Sequence, residues 1–439
     1  MGDNSLGSLK IVGGNPLRGT VVPIPNKNSI VVALPASILT DETVIYNNVP
    51  QSTDVQKILE MIVLLGGEFT WTSANSVSVC CKNLKSYKVD FALGNLIRAS
   101  ILFAGPLLVR FGVAEIPVPG GCVLGKRSIA SHVDVFNKLG IVTEFFDGFV
   151  RFTLPKKITS CSIWQNEASV TATENFAMLV AGLSGNTISL TDAACEPHVV
   201  DLLKLLSDMG ASITGAGSNI ITVSGKKLKG ATFVAGPDFV DIGGFIVASA
   251  LTHGNITIRG GNVPEITGGM VNWFRKFGIK IVESGQDLVV DGNCELKIDQ
   301  INSGFPLAGE DLLKFAPRPW PGFPVDVLPP VVTLACKTNG KLLINNWMYE
   351  TGLEFCKDLN LIGANIQMID SQKIIVNGPV TFKGGEVTPP GIIQAVKALF
   401  LASLADPVTT VVHNADILKR RYPDIVAGYT SLGANISPV

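Results

Sequence analysis

The sequence predicts an α/β protein of two domains built by repetition of one folding unit. Its 439 residues exceed what a single hydrophobic core usually organises. A phrase made of an apolar helical run, a glycine and a short β-like run recurs six times. Several other helical stretches are apolar on nearly every face, which fits helices buried beneath sheets.

The phrase is clearest where Leu59-Glu60-Met61-Ile62-Val63-Leu64-Leu65-Gly66 leads into Glu68-Phe69-Thr70. It returns at 135–140, 205–210, 273–278, 359–363 and 429–433, so the closing glycines stand 68 to 85 residues apart. In each copy the glycine follows a run of 3.6-residue periodicity, where the chain leaves the helix through the left-handed region. Strand patterns such as Val77-Ser78-Val79, Ile221-Thr222-Val223, Leu288-Val289-Val290 and Ile374-Ile375-Val376 come after a polar turn. The stretches 177–183, 244–251 and 396–404 are the uniformly apolar helices, so helices lie inside and sheets outside. Six copies divide into two groups of three, with the crossover at 227–238 after the third. The predicted domains are 27–235, and 1–26 with 236–439, with the active site in the cleft between them.

Composition narrows the function. Lys plus Arg number 35 against 36 Asp plus Glu, leaving a formal charge of −1, which argues against a broad nucleic-acid surface. The eight cysteines (80, 81, 122, 161, 195, 294, 336 and 356) include no C-x-x-C pair, so zinc and redox motifs are absent. Apolar runs break well before 18 residues and the first ten residues lack a targeting pattern, which predicts a cytoplasmic protein without membrane insertion.

The loop Pro119-Gly120-Gly121-Cys122-Val123-Leu124-Gly125-Lys126-Arg127 sets one thiol four and five residues before two cations. Those cations favour the thiolate and are able to hold an anion. Lys27 and Asn28 sit at the start of the apolar stretch 30–39, a helix start that already favours anions; a capped helix with a solvated lysine is the plain alternative. Arg98 opens the run 101–108, and a cation there opposes the helix dipole unless an anion attends it. The proline-rich stretch 316–326 ends in Asp326, which reads either as an N-cap or as a base on a rigid loop tip. Leu418-Lys419-Arg420-Arg421-Tyr422 adds a third cation cluster, for which a solvated face is the default.

In this order, five motifs resemble those of the enolpyruvyl transferases, most closely the bacterial UDP-N-acetylglucosamine branch. They are Lys27-Asn28 with Leu34-Pro35, Arg98-Ala99-Ser100 with Gly105-Pro106-Leu107, Pro119-Gly120-Gly121-Cys122, Phe323-Pro324-Val325-Asp326, and Arg420 before Tyr422. The sister family, 5-enolpyruvylshikimate-3-phosphate synthase, shares the fold and lacks a cysteine loop of this type. The resemblance covers 9–436 and implies two inside-out α/β barrels built from six βαβαββ-like units, three per domain. It also implies enolpyruvyl transfer from phosphoenolpyruvate to a hydroxyl of UDP-N-acetylglucosamine, with no metal or other cofactor, by a monomer or weak homo-oligomer. By residue, Lys27, Arg127 and Arg420 would grip phosphoenolpyruvate with Asn28 and Arg98 close by, and Ser169-Val170-Thr171 would meet the diphosphate. Asp326 would accept the acceptor's hydroxyl proton, while Cys122 would protonate the methylene carbon of phosphoenolpyruvate.

Four positions depart from the family pattern. Ala130 and Glu167 stand where the family has an aspartate facing uracil and a lysine facing diphosphate, and Gly352 and Gln394 stand at or near two arginines. Two alternatives therefore stay open: the same transfer to another nucleotide or nucleotide sugar, and a non-catalytic nucleotide-sugar-binding protein.

Overall fold

The computed structural model describes residues 7–118, 128–158, 161–298, 304–309 and 312–439, which form two compact units. One comprises the described residues of 25–236; the other comprises the described residues of 7–24 and 237–439.

Each unit contains three sheets among its described residues. In the 25–236 unit one sheet orders Thr232–Val234, Val44–Asn47, Ser76–Cys80 and Glu68–Ser73, its first pair parallel and the rest antiparallel. A second orders Ser212–Thr214, Ile220–Ser224, Thr187–Thr191 and Ser162–Trp164, again with one parallel pair at an edge. The third has the strands Val113–Pro117, Phe149–Thr153 and Val142–Phe146, and an isolated parallel bridge from Lys88 to Glu115 stands where the others have a fourth strand. In the other unit all three sheets have four strands, each with one parallel edge pair and two antiparallel pairs. The strands that sequence singled out at 77–79, 221–223, 288–290 and 374–376 each pair on both sides. Their alternation of buried and half-exposed residues follows the two-residue period of a strand with one covered face.

The uniformly apolar stretches are helices Val170–Gly182, Phe239–Leu251 and Ile393–Ala405, and Phe239–Leu251 is buried along its whole length. With no polar stripe to face water, such helices find their stable place in the core, where each fully buried Leu, Ile, Val or Phe contributes about 1.5–3 kcal/mol. Phe239–Leu251, Leu328–Lys337 and Ile393–Ala405 pack pairwise on one another. Asp238 starts the first, its side chain accepting from the amides of Val240 and Asp241, and Pro329 and Pro330 stand in the first turn of the second. The six repeat glycines all have positive φ; Gly66 (φ 101°) also has no room for a side chain, since a Cβ there would sit 2.8 Å from the Asn83 carbonyl oxygen. The chain thus leaves each helix by a turn that glycine permits; after the first five it enters a hairpin, and after Gly433 it enters the strand Asn435–Pro438, which pairs with Ser8–Val12.

No helix among the described residues is long and apolar enough to cross a membrane.

Candidate functional site

In the 25–236 unit, Lys27 is the first residue of helix Lys27–Ala36. The cap is Asn26, whose side chain accepts from the amides of Asn28 and Ser29. The capped-helix expectation therefore holds, but the lysine is not solvated: it is 9% exposed, with Nζ 2.9 Å from Asp54 Oδ2. Asp54 lies in the first turn of helix Thr53–Leu64 and is itself buried. In the same helix as Lys27, Ser29 donates to Asp201 Oδ2 at 2.6 Å.

Arg98 opens a short 3₁₀ turn, Arg98–Phe103, that runs into helix Ala104–Phe111. Its charge acts on His132, which is buried in helix Ala130–Lys138. Burial first, and Arg98 second, hold the His132 imidazole down at about 3. His132 Nε2 lies 2.9 Å from Thr171 Oγ1 and Nδ1 lies 3.0 Å from Asn175 Nδ2. Ser169 is the N-cap residue of helix Val170–Gly182, so Ser169, Val170 and Thr171 form its entry, with Thr171 tied to His132. Of the departures in this unit, Ala130 is the first residue of the helix that carries His132, and Glu167 accepts a hydrogen bond from Ser131 through Oε1.

Cys122 and Arg127 lie outside the described residues.

In the other unit Asp326 sits in a 3₁₀ turn, Val325–Val327, that runs into helix Leu328–Lys337. Pro324 and Val327 occupy the two cap positions and neither cap has a side-chain hydrogen bond, so the N-cap reading of Asp326 is overturned. Its carboxylate lies instead 3.4 Å from Arg421 Nη2. Asp326, Gly352 and Gln394 line one pocket, together with Asn346, Tyr349 and Thr351. A Cβ on Gly352 would run into Asn346 Nδ2, so that side chain fills space an arginine at this position would need. Apolar Pro329, Phe355, Pro390 and Ile392 complete much of the wall, and Asp326 is its one carboxylate.

Arg420 ends the 3₁₀ turn Ala415–Arg420 and is half-buried. The next residue carries a correction: Arg421, read as part of a solvated cluster, is 2% exposed. Its Nη1 bonds both oxygens of Asp238 at 2.8 and 2.7 Å. Burial, the largest single influence, works against the Arg421 charge, but Asp238 together with Asp326 and the neighbouring Tyr422 and Asp241 outweighs it, so the guanidinium is held more firmly charged than usual. Beside this pair lie buried Asp241, which accepts from the Ile24 amide at 3.0 Å, and buried Lys397. Lys397 Nζ is without a hydrogen-bond partner among the described residues and stands 4.3 and 4.5 Å from the ring centres of Tyr429 and Tyr422. Burial lowers the Lys397 ammonium and raises the Asp241 carboxyl.

Sequence reasoning missed Asp238, Asp241 and Lys397. The available signal was charge in apolar company: Lys397 is the one charged residue of helix Ile393–Ala405, and the two aspartates open Phe239–Leu251. Among the described residues no three His, Cys, Asp or Glu side chains group to hold a metal ion.

Two solved structures share this fold over nearly their whole length. The enolpyruvyl transferase NikO from Streptomyces tendae superposes with a TM-score of 0.83 at 22% identity, covering 98% of both chains. EPSP synthase from Acinetobacter baumannii gives 0.72 at 16% identity, covering 98% of this chain and 99% of that one. The sequence signature of EPSP synthase (3-phosphoshikimate 1-carboxyvinyltransferase) matches residues 11–428, and the chain belongs to that family. Two relatives named UDP-N-acetylglucosamine 1-carboxyvinyltransferase are 34% identical. The Treponema denticola protein aligns over 97% of this chain and 98% of its own length, and the Bradyrhizobium diazoefficiens protein over 98% and 97%.

Proposed function

We propose that the protein transfers the enolpyruvyl group of phosphoenolpyruvate to the 3-hydroxyl of UDP-N-acetylglucosamine and releases phosphate. This is the first committed step of peptidoglycan synthesis, carried out in the cytoplasm. The observation that carries the reading is 34% identity over nearly the full length to relatives named for this transfer.

Asp326 takes the hydroxyl proton as the acceptor oxygen bonds to C2 of phosphoenolpyruvate, and Cys122 gives a proton to C3. The adduct then loses phosphate and a proton from the new methyl group, which restores the double bond. Acid and base each contribute roughly 10²- to 10⁴-fold. Lys27, Arg127 and Arg420 bind the phosphate and carboxylate, Asn28 and Arg98 stand with them, and Ser169, Val170 and Thr171 meet the diphosphate. The domains 27–235, and 1–26 with 236–439, belong to the same reading, each an inside-out α/β barrel of three βαβαββ-like units. The recurrence of a parallel edge pair followed by antiparallel strands supports it.

A second reading keeps the chemistry and changes the acceptor to another nucleotide or nucleotide sugar. Glu167 favours it, since its carboxylate is bonded to Ser131 close to the segment assigned to the diphosphate.

The test is phosphate release from phosphoenolpyruvate with UDP-N-acetylglucosamine, with other uridine nucleotides and with no acceptor. Release that requires UDP-N-acetylglucosamine is expected. Release only with another acceptor moves the assignment to the second reading, and none with any acceptor leaves a binding protein.

A further inference from the structure

We infer that Arg421 is a positioning residue for Asp326, fixing the carboxylate that receives the acceptor's proton. The inference rests on the reading of Asp326 as the base. Arg421 is clamped by its far side: Nη1 bonds both Asp238 oxygens at 2.8 and 2.7 Å. Asp238 is immobile in turn, because its Oδ1 accepts the Val240 and Asp241 amides at the start of a 13-residue buried helix. A guanidinium is a rigid planar fork, so fixing one nitrogen fixes the direction of the other. That other nitrogen, Nη2, is the one 3.4 Å from Asp326 Oδ2.

The distances divide the labour. Contacts near 2.8 Å are strong charge-assisted bonds, whereas 3.4 Å is long for an N–H donor. Arg421 therefore orients the base by charge and direction without binding it as tightly as it binds Asp238. Exposure points the same way: the Arg421 side chain is 3% exposed, that of Asp238 is 0%, and that of Asp326 is 26%. Asp326 is thus the one member of the chain of three that also lines the pocket. Asp241, Lys397, Tyr422 and Tyr429 are the other titratable groups packed around the pair, and all are buried.

The test compares wild type with Arg421→Gln, Arg421→Lys and Asp238→Asn for kcat, both KM values and thermal melting. Wild-type turnover is measured first; its absence with every acceptor overturns the base assignment and this inference together. With wild type active, Arg421→Gln is expected to lower kcat on the order of 10²-fold with both KM values unchanged. Arg421→Lys restores part of that loss, since it returns the charge. Asp238→Asn keeps the helix cap and lowers kcat in the same direction while Arg421 is still present. Full kcat in Arg421→Gln, or a loss confined to KM, overturns the inference alone. Should Arg421→Gln fail to melt cooperatively, the other two variants decide, and unchanged kcat in both overturns it.

Discussion

Lys27 and Asp54 form an ion pair at 2.9 Å with side chains only 11% and 5% exposed. A cation at a helix start opposes the dipole, and the Asp54 carboxylate offsets that cost. Removing one partner of such a pair strands the other. We expect Asp54→Ala to lower stability by about 3 kcal/mol in urea unfolding. The double variant Lys27→Met/Asp54→Leu should recover most of that stability and still fail to bind phosphoenolpyruvate in calorimetry. Binding retained by the double variant would remove Lys27 from the substrate site.

The base role proposed for Asp326 separates from any role in holding the fold. It caps no helix, and its 3.4 Å contact with Arg421 is long. Asp326→Asn keeps the shape and removes the basic oxygen. Turnover should fall by roughly 10²- to 10⁴-fold, while stability stays within about 0.5 kcal/mol of wild type. A sharp fall in melting temperature with activity retained would return the residue to a structural role.

Local order was legible in the sequence where chain-neighbour physics decides it. The glycines at 66 and 210 announce their left-handed turns, and a run such as 244–251, apolar all round, announces a buried element, here a helix. The polar network under Asp326 was not legible. Asp238 and Arg421 stand 183 positions apart, and nothing in Lys419-Arg420-Arg421 tells which cation turns inward. Burial reverses the meaning of a charge, and burial is decided by packing between distant segments. The same holds for Lys27, whose solvated reading fails because Asp54 comes from the next helix.

The cysteines should separate by reactivity. Burial pushes the Cys81 and Cys336 thiols up to about 12 and raises those of Cys195, Cys294 and Cys356. Thiolate chemistry near neutral pH therefore passes these five by. Cys122 stands in sequence beside Lys126 and Arg127. The epoxide fosfomycin should alkylate Cys122 faster than exposed Cys161, and Arg127→Ala or Arg420→Ala should slow labelling at Cys122 alone. Peptide mapping reads both rates, and equal labelling at the two sites would remove Cys122 from the anion site.

His132 gives the fold a pH dependence of known sign. Asn175 Oδ1 accepts the Gly105 amide at 2.9 Å, and its Nδ2 donates to the Ile101 carbonyl at 2.8 Å and to His132 Nδ1. Nδ1 is therefore an acceptor, so Nε2 carries the proton and donates to Thr171 Oγ1, which turns the threonine hydroxyl toward another acceptor. A second proton on the ring would face the Asn175 amide hydrogens. The imidazole is held at about 3 in the folded chain against 6.5 when unfolded, chiefly by burial. Below 6.5 the unfolded chain takes up a proton that the folded chain refuses. The stabilising contribution is thus complete above 6.5 and is lost as pH falls toward 3, at about 1.4 kcal/mol per unit. Between pH 7.5 and 5, wild type should lose about 2 kcal/mol more than His132→Gln in urea unfolding. Equal slopes in the two proteins would mean that the folded protein accepts the charged imidazole, and the orientation of Thr171 would then need another cause.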